Sequence, residues 1–586
     1  MPVAEELRAA RDGLIRYQSD PSKARETFRW PRFDYFNFGS DWFDQLAASP
    51  ERAHQNALVI VEENGDRLAR TFSQLSEDSN RVANWLTGHG IERGDRIILM
   101  LDNQVELWES MLAAIKLGVV LIPTTTQMGA YDLQDRVTRA QARWVIGGTS
   151  TVQKFADVDG DYTLIHVPGS YAGHTEKSTP DVPGRHVLSF NDAYSASAQT
   201  PQVDPTGADE TMLLYFTSGT TSKPKLVEHT HTSYPVGHLS TLYWIGLEPG
   251  DVHLNVSSPG WAKHAWSNFF APWLAEATIF LYNFTKFDPA ALMRAMGDDG
   301  VSSFCAPPTV WRMLIKADLS QLSNPPEKLI SAGEPLNAEV IEQVQRAWGA
   351  TIRDGFGQTE TTLQVANTPG RPVKFGAMGT PLPGYDVVLI DPSTDEEADE
   401  GELCLRLDPR PVGLMKGYYG DAEKNSEVFR NGLYHTGDVA SRDASGVFTY
   451  VGRSDDVFKS SDYKISPFEL ESVLVEHPAV VEAAIVPTPD EIRLAVPKAF
   501  VTLAAGWQPG EETATAVLQH CLDRLPPYKR IRRIEFRELP KTISGKIRRV
   551  ELRQAEQERT ETDPTAAGYG FEFREEDLPG LTRQRA

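Results

Sequence analysis

Cysteine is scarce. Cys305, Cys404 and Cys521 are the only three in 586 residues, and no two of them form a C-x-x-C pair. That argues against a disulfide framework or a thiolate zinc site and fits buried thiols in a reducing compartment. No apolar run reaches the roughly 18 residues needed to cross a bilayer. The first residues, Met1-Pro2-Val3-Ala4-Glu5-Glu6-Leu7, are charged and lack the apolar core of a signal peptide. The expectation is a cytoplasmic protein with no membrane partner. Positive charge is also in deficit, with 58 Lys and Arg against 81 Asp and Glu and a formal net charge of −23. Such a balance argues against nucleic acid as a partner, but it leaves room for a local basic site that binds a small anion. Internal repeats and low-complexity segments are missing too. What remains is an ordinary globular composition, 40% apolar and 24% charged, with length for roughly four domain-sized units.

Residues 1–32 read as a helix followed by an irregular arm. Beyond them, continuous apolar runs such as Ile97-Ile98-Leu99-Met100 and Val119 to Ile122 flank a helix from Leu107 to Leu117. Runs of this kind mark strands buried on both faces of a parallel sheet, and their repetition implies doubly wound α/β layers. From about Gly384 the pattern changes to short strands separated by Asp/Gly turns, which predicts a small β-barrel-like subdomain. After Gly452-Arg453 a second domain begins. Ser466-Pro467-Phe468-Glu469 has capping-box spacing with proline at the first helical position, and strands follow at Val480 to Val486 and Lys498 to Leu503. The expected fold is α/β: an N-terminal domain over 1–454, a small α+β domain over 455–560, and a C-terminal extension over 561–586. The extension is acidic and contains Gly and Pro, with Tyr569, Phe571 and Phe573 as residues that could dock it.

Motifs with chemistry sit after strands, where open α/β sheets gather their ligands. The run Met212-Leu213-Leu214-Tyr215-Phe216 opens into Thr217-Ser218-Gly219-Thr220-Thr221-Ser222-Lys223-Pro224-Lys225. Hydroxyls, a glycine and lysines there suit a phosphate, though the Walker spacing is absent. By themselves the nine residues read equally well as a solvated turn. Four further blocks follow: Gly355-Phe356-Gly357-Gln358-Thr359-Glu360-Thr361, Tyr434-His435-Thr436-Gly437-Asp438, Gly452-Arg453-Ser454-Asp455-Asp456, and Pro540-Lys541-Thr542-Ile543-Ser544-Gly545-Lys546. In this order the five blocks resemble the adenylate-forming (AMP-binding) superfamily, closest to the medium-chain acyl-CoA synthetases, over about Phe33 to Arg553.

The resemblance implies an AMP-forming acid:CoA ligase that uses ATP, Mg2+ and coenzyme A on a medium-chain or aromatic carboxylic acid. Two alternatives are an adenylating enzyme that serves a carrier-protein thiol or other nucleophile, and an inactive nucleotide-binding homologue. By resemblance, Lys546, Thr217, Glu360 and Lys225 are catalytic, and Glu360 is also the metal ligand. ATP would further contact Ser218, Gly219, Thr220, Thr221, Gly333, Glu334, Pro335, Gly355, Phe356, Gly357, Gln358 and Thr359, with Asp438 on the ribose hydroxyls and Arg453 beside it. Asp455 matches the hinge, and Trp261, His264 and Gly333 border the acyl pocket. Coenzyme A would meet Ser461, Asp462, Tyr463, Lys464, Arg493, Arg530 and Arg532. Two departures stand out: Ser222 and Asp462 each replace a glycine common among relatives, and Asp462 puts bulk and negative charge on the thiol path. Assembly into a homo-oligomer is left open.

Overall fold

The computed structural model describes residues 3–169, 179–217, 224–333, 336–460, 463–490, 494–542, 546–562 and 571–581, with backbone only at 463, 464 and 494. The chain forms two compact units. One comprises Met1–Val387, Leu405–Tyr434 and Gly446–Phe448; the other comprises Val388–Cys404, His435–Ser445 and Thr449–Ala586.

The N-terminal segment makes two helices, Val3–Arg16 and Pro21–Thr27, rather than one helix and an arm. Asp20 caps the second by accepting from Lys23 N, and Pro21 fits its first position, where no N–H is needed. Two large sheets follow in the first unit. An eight-stranded sheet has the order Gly417–Tyr418, Lys225–Thr230, Thr211–Thr217, Val120–Pro123, Arg96–Met100, Trp144–Gly147, Thr163–His166, Val187–Ser189. A nine-stranded sheet runs Thr380–Pro381, Thr362–Ala366, Ile352–Gln358, Lys328–Ser331, Ser303–Ala306, Val252–Asn255, Thr278–Tyr282, Asn56–Val61, Arg67–Thr71.

Both sheets are parallel through their centres, as the apolar runs predict. Both turn antiparallel toward their edges: Thr211–Thr217 pairs with Lys225–Thr230 and Ile352–Gln358 with Thr362–Ala366 in antiparallel hairpins, and Asn56–Val61 with Arg67–Thr71 at the other edge of the nine-stranded sheet. The first two hairpins carry two of the motif loops. The helix Val105–Leu117 is buried at every position except Glu106, the signature of a helix covered on all sides. Its neighbour Phe72–Gly88 starts with a full capping box between Thr71 and Gln74. A five-stranded sheet joins Val387–Ile390, Glu400–Arg406, Leu433–Arg442, Phe429–Arg430 and Phe448–Arg453.

In the second unit, helices Pro467–Val475 and Glu511–Arg524 contribute Leu470, Leu474, Val517 and Leu518 to a core with Ile485, Val501 and Ile534 from the sheet. Ser466 caps the first of these helices by accepting from Glu469 N. The helix Arg549–Thr562 runs into the predicted extension, and Phe571–Arg574 returns as the fourth strand, antiparallel to Arg533–Phe536. Phe573 packs on Phe536, and Leu578 and Leu581 enter the same core, whereas Phe571 stays exposed. Tyr569 lies outside the described residues. Fully buried Lys498 meets Glu535 at 2.8 Å and Glu556 and Glu572 at 2.9 Å each. No helix among the described residues is long and apolar enough to cross a membrane.

Candidate active site

In the first unit, Thr217 and Lys225 face each other as the last pair of their hairpin before its connecting loop. The connecting residues Ser218, Gly219, Thr220 and Thr221 lie outside the described residues, as do Glu334 and Pro335. The Lys225 ammonium stands 5.2 Å from the ring centroid of Tyr418, within cation–π range. Tyr418 comes from the short strand Gly417–Tyr418, which pairs with Lys225–Thr230. Its hydroxyl donates to Glu360 Oε1 at 2.9 Å. Three segments distant in sequence therefore place a cation, an aromatic ring and a carboxylate together. Sequence reading missed Tyr418, because a lone aromatic in a two-residue strand gives no local signal.

The turn that carries Glu360 is held from several sides. Met415 N donates to the Glu360 carbonyl at 2.7 Å. Thr359 O lies 2.7 Å from Nε2 of buried His229, whose imidazole is pushed down to about 3 by burial and so is neutral. A carbonyl can only accept, so Nε2 carries the hydrogen and Nδ1 accepts from Ser233 Oγ at 2.9 Å. Gln358 Oε1 accepts from Tyr434 Oη at 3.1 Å. Gly357 is required by closeness: a Cβ there would lie 2.1 Å from Thr362 O. Gly355 and half-buried Phe356 precede it on the same strand.

Before Gly355 stands Asp354, buried, with its Oδ1 accepting from Gly355 N at 2.9 Å. Burial pushes this carboxyl up to about 7, against the pull of N–H donors from Gly355 and Leu336 and the charge of Lys263. Of the acyl-pocket residues, Trp261 and His264 line one small cavity with Leu99, Met111, Pro123 and Tyr215. Gly333 is not in that lining; it has a left-handed backbone (φ +105°). His264 is buried against Trp108 and donates from Nε2 to Asn103 Oδ1 at 3.1 Å. Burial pushes its imidazole down to about 3, so it is a neutral packing residue, in line with assigning it no chemistry.

In the second unit, the Asp438 carboxylate is buried between two donors. Tyr450 Oη donates to Oδ1 at 3.1 Å, and Arg453 Nη1 lies 3.3 Å from Oδ2. Tyr450 is a second residue that sequence reading missed. Its hydroxyl is pushed well above its ordinary value, first by burial and then by Asp438, so it keeps its proton and can donate a hydrogen bond. Asp455 Oδ1 is 3.7 Å from Arg453 Nε, while Asp456 binds Arg549 at 2.8 Å and Arg553 at 3.1 Å. Lys546 is exposed, and its backbone N donates to Thr542 Oγ1 at 3.1 Å.

Of the expected coenzyme A residues, Ser461, Asp462 and Arg493 lie outside the described residues. Tyr463 and Lys464 are described by backbone alone, paired with Ser460 and Lys459 in a hairpin. Arg530 and Arg532 both reach Glu575 of the C-terminal extension, each at 3.0 Å.

Comparisons with known proteins fit this arrangement. Residues 46–419 match the family described as AMP-binding enzyme, and residues 469–546 match the AMP-binding enzyme C-terminal domain. The chain is 41% identical over 531 residues to 4-hydroxybutyrate–CoA ligase 1 of Metallosphaera sedula, covering 89% of this chain and 91% of that one. It is 36% identical over 550 residues to the mitochondrial acyl-coenzyme A synthetase ACSM3 of Mus musculus, covering 92% and 93%. Among solved structures, the anthranilate CoA ligase AuaEII in complex with anthranoyl-AMP superposes with a TM-score of 0.78 at 27% identity, over 90% of this chain and 99% of that one.

Proposed function

Because the chain belongs to the AMP-binding enzyme family, we propose that it is an ATP-dependent, AMP-forming acid–CoA ligase. A carboxylate oxygen attacks the α-phosphorus of ATP, forming an acyl-adenylate as pyrophosphate leaves. The thiol of coenzyme A then attacks the acyl carbon and expels AMP. The first step brings an anion to a polyanion, so the protein must supply positive charge and alignment rather than a base. Lys546 and Lys225 supply charge, and Thr217 and the 218–223 segment donate to phosphate oxygens. Gly333, Glu334, Pro335, Gly355 and Phe356 hold adenine, while Asp438 accepts from the ribose hydroxyls with Arg453 beside it. Glu360 is a half-buried oxygen donor oriented by Tyr418, the hard-ligand chemistry that Mg2+ takes alongside phosphate oxygens. The ion would offset the charge of the triphosphate. Asp455 serves as the hinge on which residues 455–560 turn between the two steps.

The observation that carries this reading is the meeting of Lys225, Tyr418 and Glu360. The acid is of the medium-chain or aromatic class, with Trp261 on its path. Three buried thiols support a cytoplasmic location. A second reading, transfer to a carrier-protein thiol, is favoured by Asp462 and by the carboxylate of Glu575 lying on Arg530 and Arg532. Pyrophosphate release across a panel of carboxylic acids, with and without coenzyme A, tests both. Release together with acyl-CoA formation is expected. Release without coenzyme A consumption supports the second reading, and no release with any acid refutes both.

A further inference from the structure

Asp438 owes its position to a neighbouring strand. Glu402, on Glu400–Arg406, accepts two hydrogen bonds from the segment that leads to Asp438: Gly437 N donates to Oε1 at 2.9 Å and His435 Nδ1 to Oε2 at 2.8 Å. Thr436 Oγ1 donates to Leu403 O at 2.7 Å and accepts from Asp438 N at 3.1 Å. Each residue from His435 to Asp438 is thus tied to the strand, directly or through Thr436. Gly437 has φ +73°, and a Cβ there would come within 3.1 Å of Arg453 Nη2. A side chain at this position would press on the cation that flanks Asp438.

Glu402, Cys404 and His435 also form the one His/Cys/carboxylate group with metal-ligand spacing among the described residues. Hydrogen bonding already uses that group, since both carboxylate oxygens accept and the imidazole nitrogen donates.

We propose that Glu402 is a positioning residue for ribose recognition: it sets the turn that aims the Asp438 carboxylate. This rests on Asp438 being the ribose acceptor. Glu402 is only 15% exposed, so little water can replace its carboxylate once it is removed. With the Gly437 N–H released, the carboxylate of Asp438 would still be present but no longer fixed. Discrimination between hydroxyl-bearing and deoxy nucleotides should then fall further than catalysis itself.

The test compares kcat/KM for ATP with that for 2′-deoxy-ATP and 3′-deoxy-ATP, read as acid-dependent pyrophosphate release. A hydrogen bond to a charged acceptor sets wild-type discrimination at about 10- to 100-fold. Asp438→Ala should reduce it to near unity. Glu402→Ala should bring it within about threefold of that floor, mainly through KM, and Glu402→Gln, which can still accept one of the two bonds, should fall between. Wild-type discrimination in Glu402→Ala overturns the inference. If that variant does not fold, wild-type discrimination in Glu402→Gln overturns it equally. Unchanged discrimination in Asp438→Ala refutes the ribose assignment instead, while acid-dependent pyrophosphate release tests the ligase reading separately.

Discussion

Replacing Asp354 by Asn should make the protein more resistant to unfolding as pH rises. Burial pushes the carboxyl from an ordinary 3.8 up to about 7, more than the Gly355 and Leu336 N–H groups and Lys263 can offset. A folded-state pKa above the unfolded one means the native chain holds the extra proton between those values. The stability this group contributes is full below about 4 and is lost as pH rises through about 7. A gap of about 3 units corresponds to about 4 kcal/mol in all, of which roughly 2–3 kcal/mol falls between pH 5 and pH 8. Asn has the same shape, keeps an oxygen that can accept from Gly355 N, and does not titrate.

For a unit of about 400 residues, an unfolding entropy of about 2 cal/mol/K per residue turns that energy into about 3 °C. The assay is the difference in thermal midpoint, Asp354→Asn minus wild type, measured from pH 5 to pH 8 so that titrations common to both cancel. The difference should climb by about 3 °C, most steeply between about pH 5 and pH 6, and level off as the pH passes about 7. A flat difference, or one that falls with pH, would refute the argument that this carboxyl is protonated by burial. The same proton bears on function, since it keeps a negative charge away from the segment proposed to receive a triphosphate.

Three other outcomes are expected. Lys498→Met removes the one cation shared by three buried carboxylates, leaving each only its arginine neighbour, and should destabilise the second unit by about 3–5 kcal/mol; a loss below about 1 kcal/mol in denaturant unfolding would contradict the cluster. Lys546→Ala should slow adenylation by about 100-fold or more while largely sparing thioester formation from a preformed acyl-adenylate, and equal loss of both half-reactions would remove the assigned role. Glu575→Gln removes the negative charge lying on Arg530 and Arg532, and because these pairs are partly exposed each contributes only about 0–1 kcal/mol; the KM for coenzyme A should fall severalfold with adenylation unchanged, and an unaltered KM would mean that the two arginines do not meet its phosphates.

Much of the scaffold was legible because its signals are local. The continuous apolar runs are the parallel strands, and Ser466 caps its helix as its spacing to Glu469 suggests. Asp20 before Pro21 carried the same kind of signal for the second N-terminal helix, yet that stretch read as an arm because seven residues hold too little periodicity. Partners that act across the fold were not legible. Tyr418 reaches Glu360 over 58 residues of chain and Glu402 reaches Gly437 over 35, and no periodicity encodes such a meeting. The C-terminal strand falls between these cases. The aromatics Phe571 and Phe573 hinted at docking, but the position of Glu572 against Lys498 depends on register with a strand nearly forty residues away.

Tyrosine has a common use beside the two carboxylates proposed to meet the nucleotide. Each receives a phenolic hydrogen bond, from Tyr418 to Glu360 and from Tyr450 to Asp438. At Glu360 a lysine in the same place would orient the carboxylate but also cancel its charge, leaving less for a cation, whereas Asp438 already has the Arg453 guanidinium beside it. A phenol orients it while remaining neutral, and burial of Tyr450 ensures that its proton is not given up. Tyr418 goes one step further. Its hydroxyl engages Glu360 while its ring face receives the Lys225 ammonium, so a neutral spacer stands between opposite charges that in direct contact would neutralise each other. In the function proposed above, the ammonium would meet phosphate oxygens and the carboxylate a hard cation, and the tyrosine that touches both would set them in place for a metal-bound triphosphate.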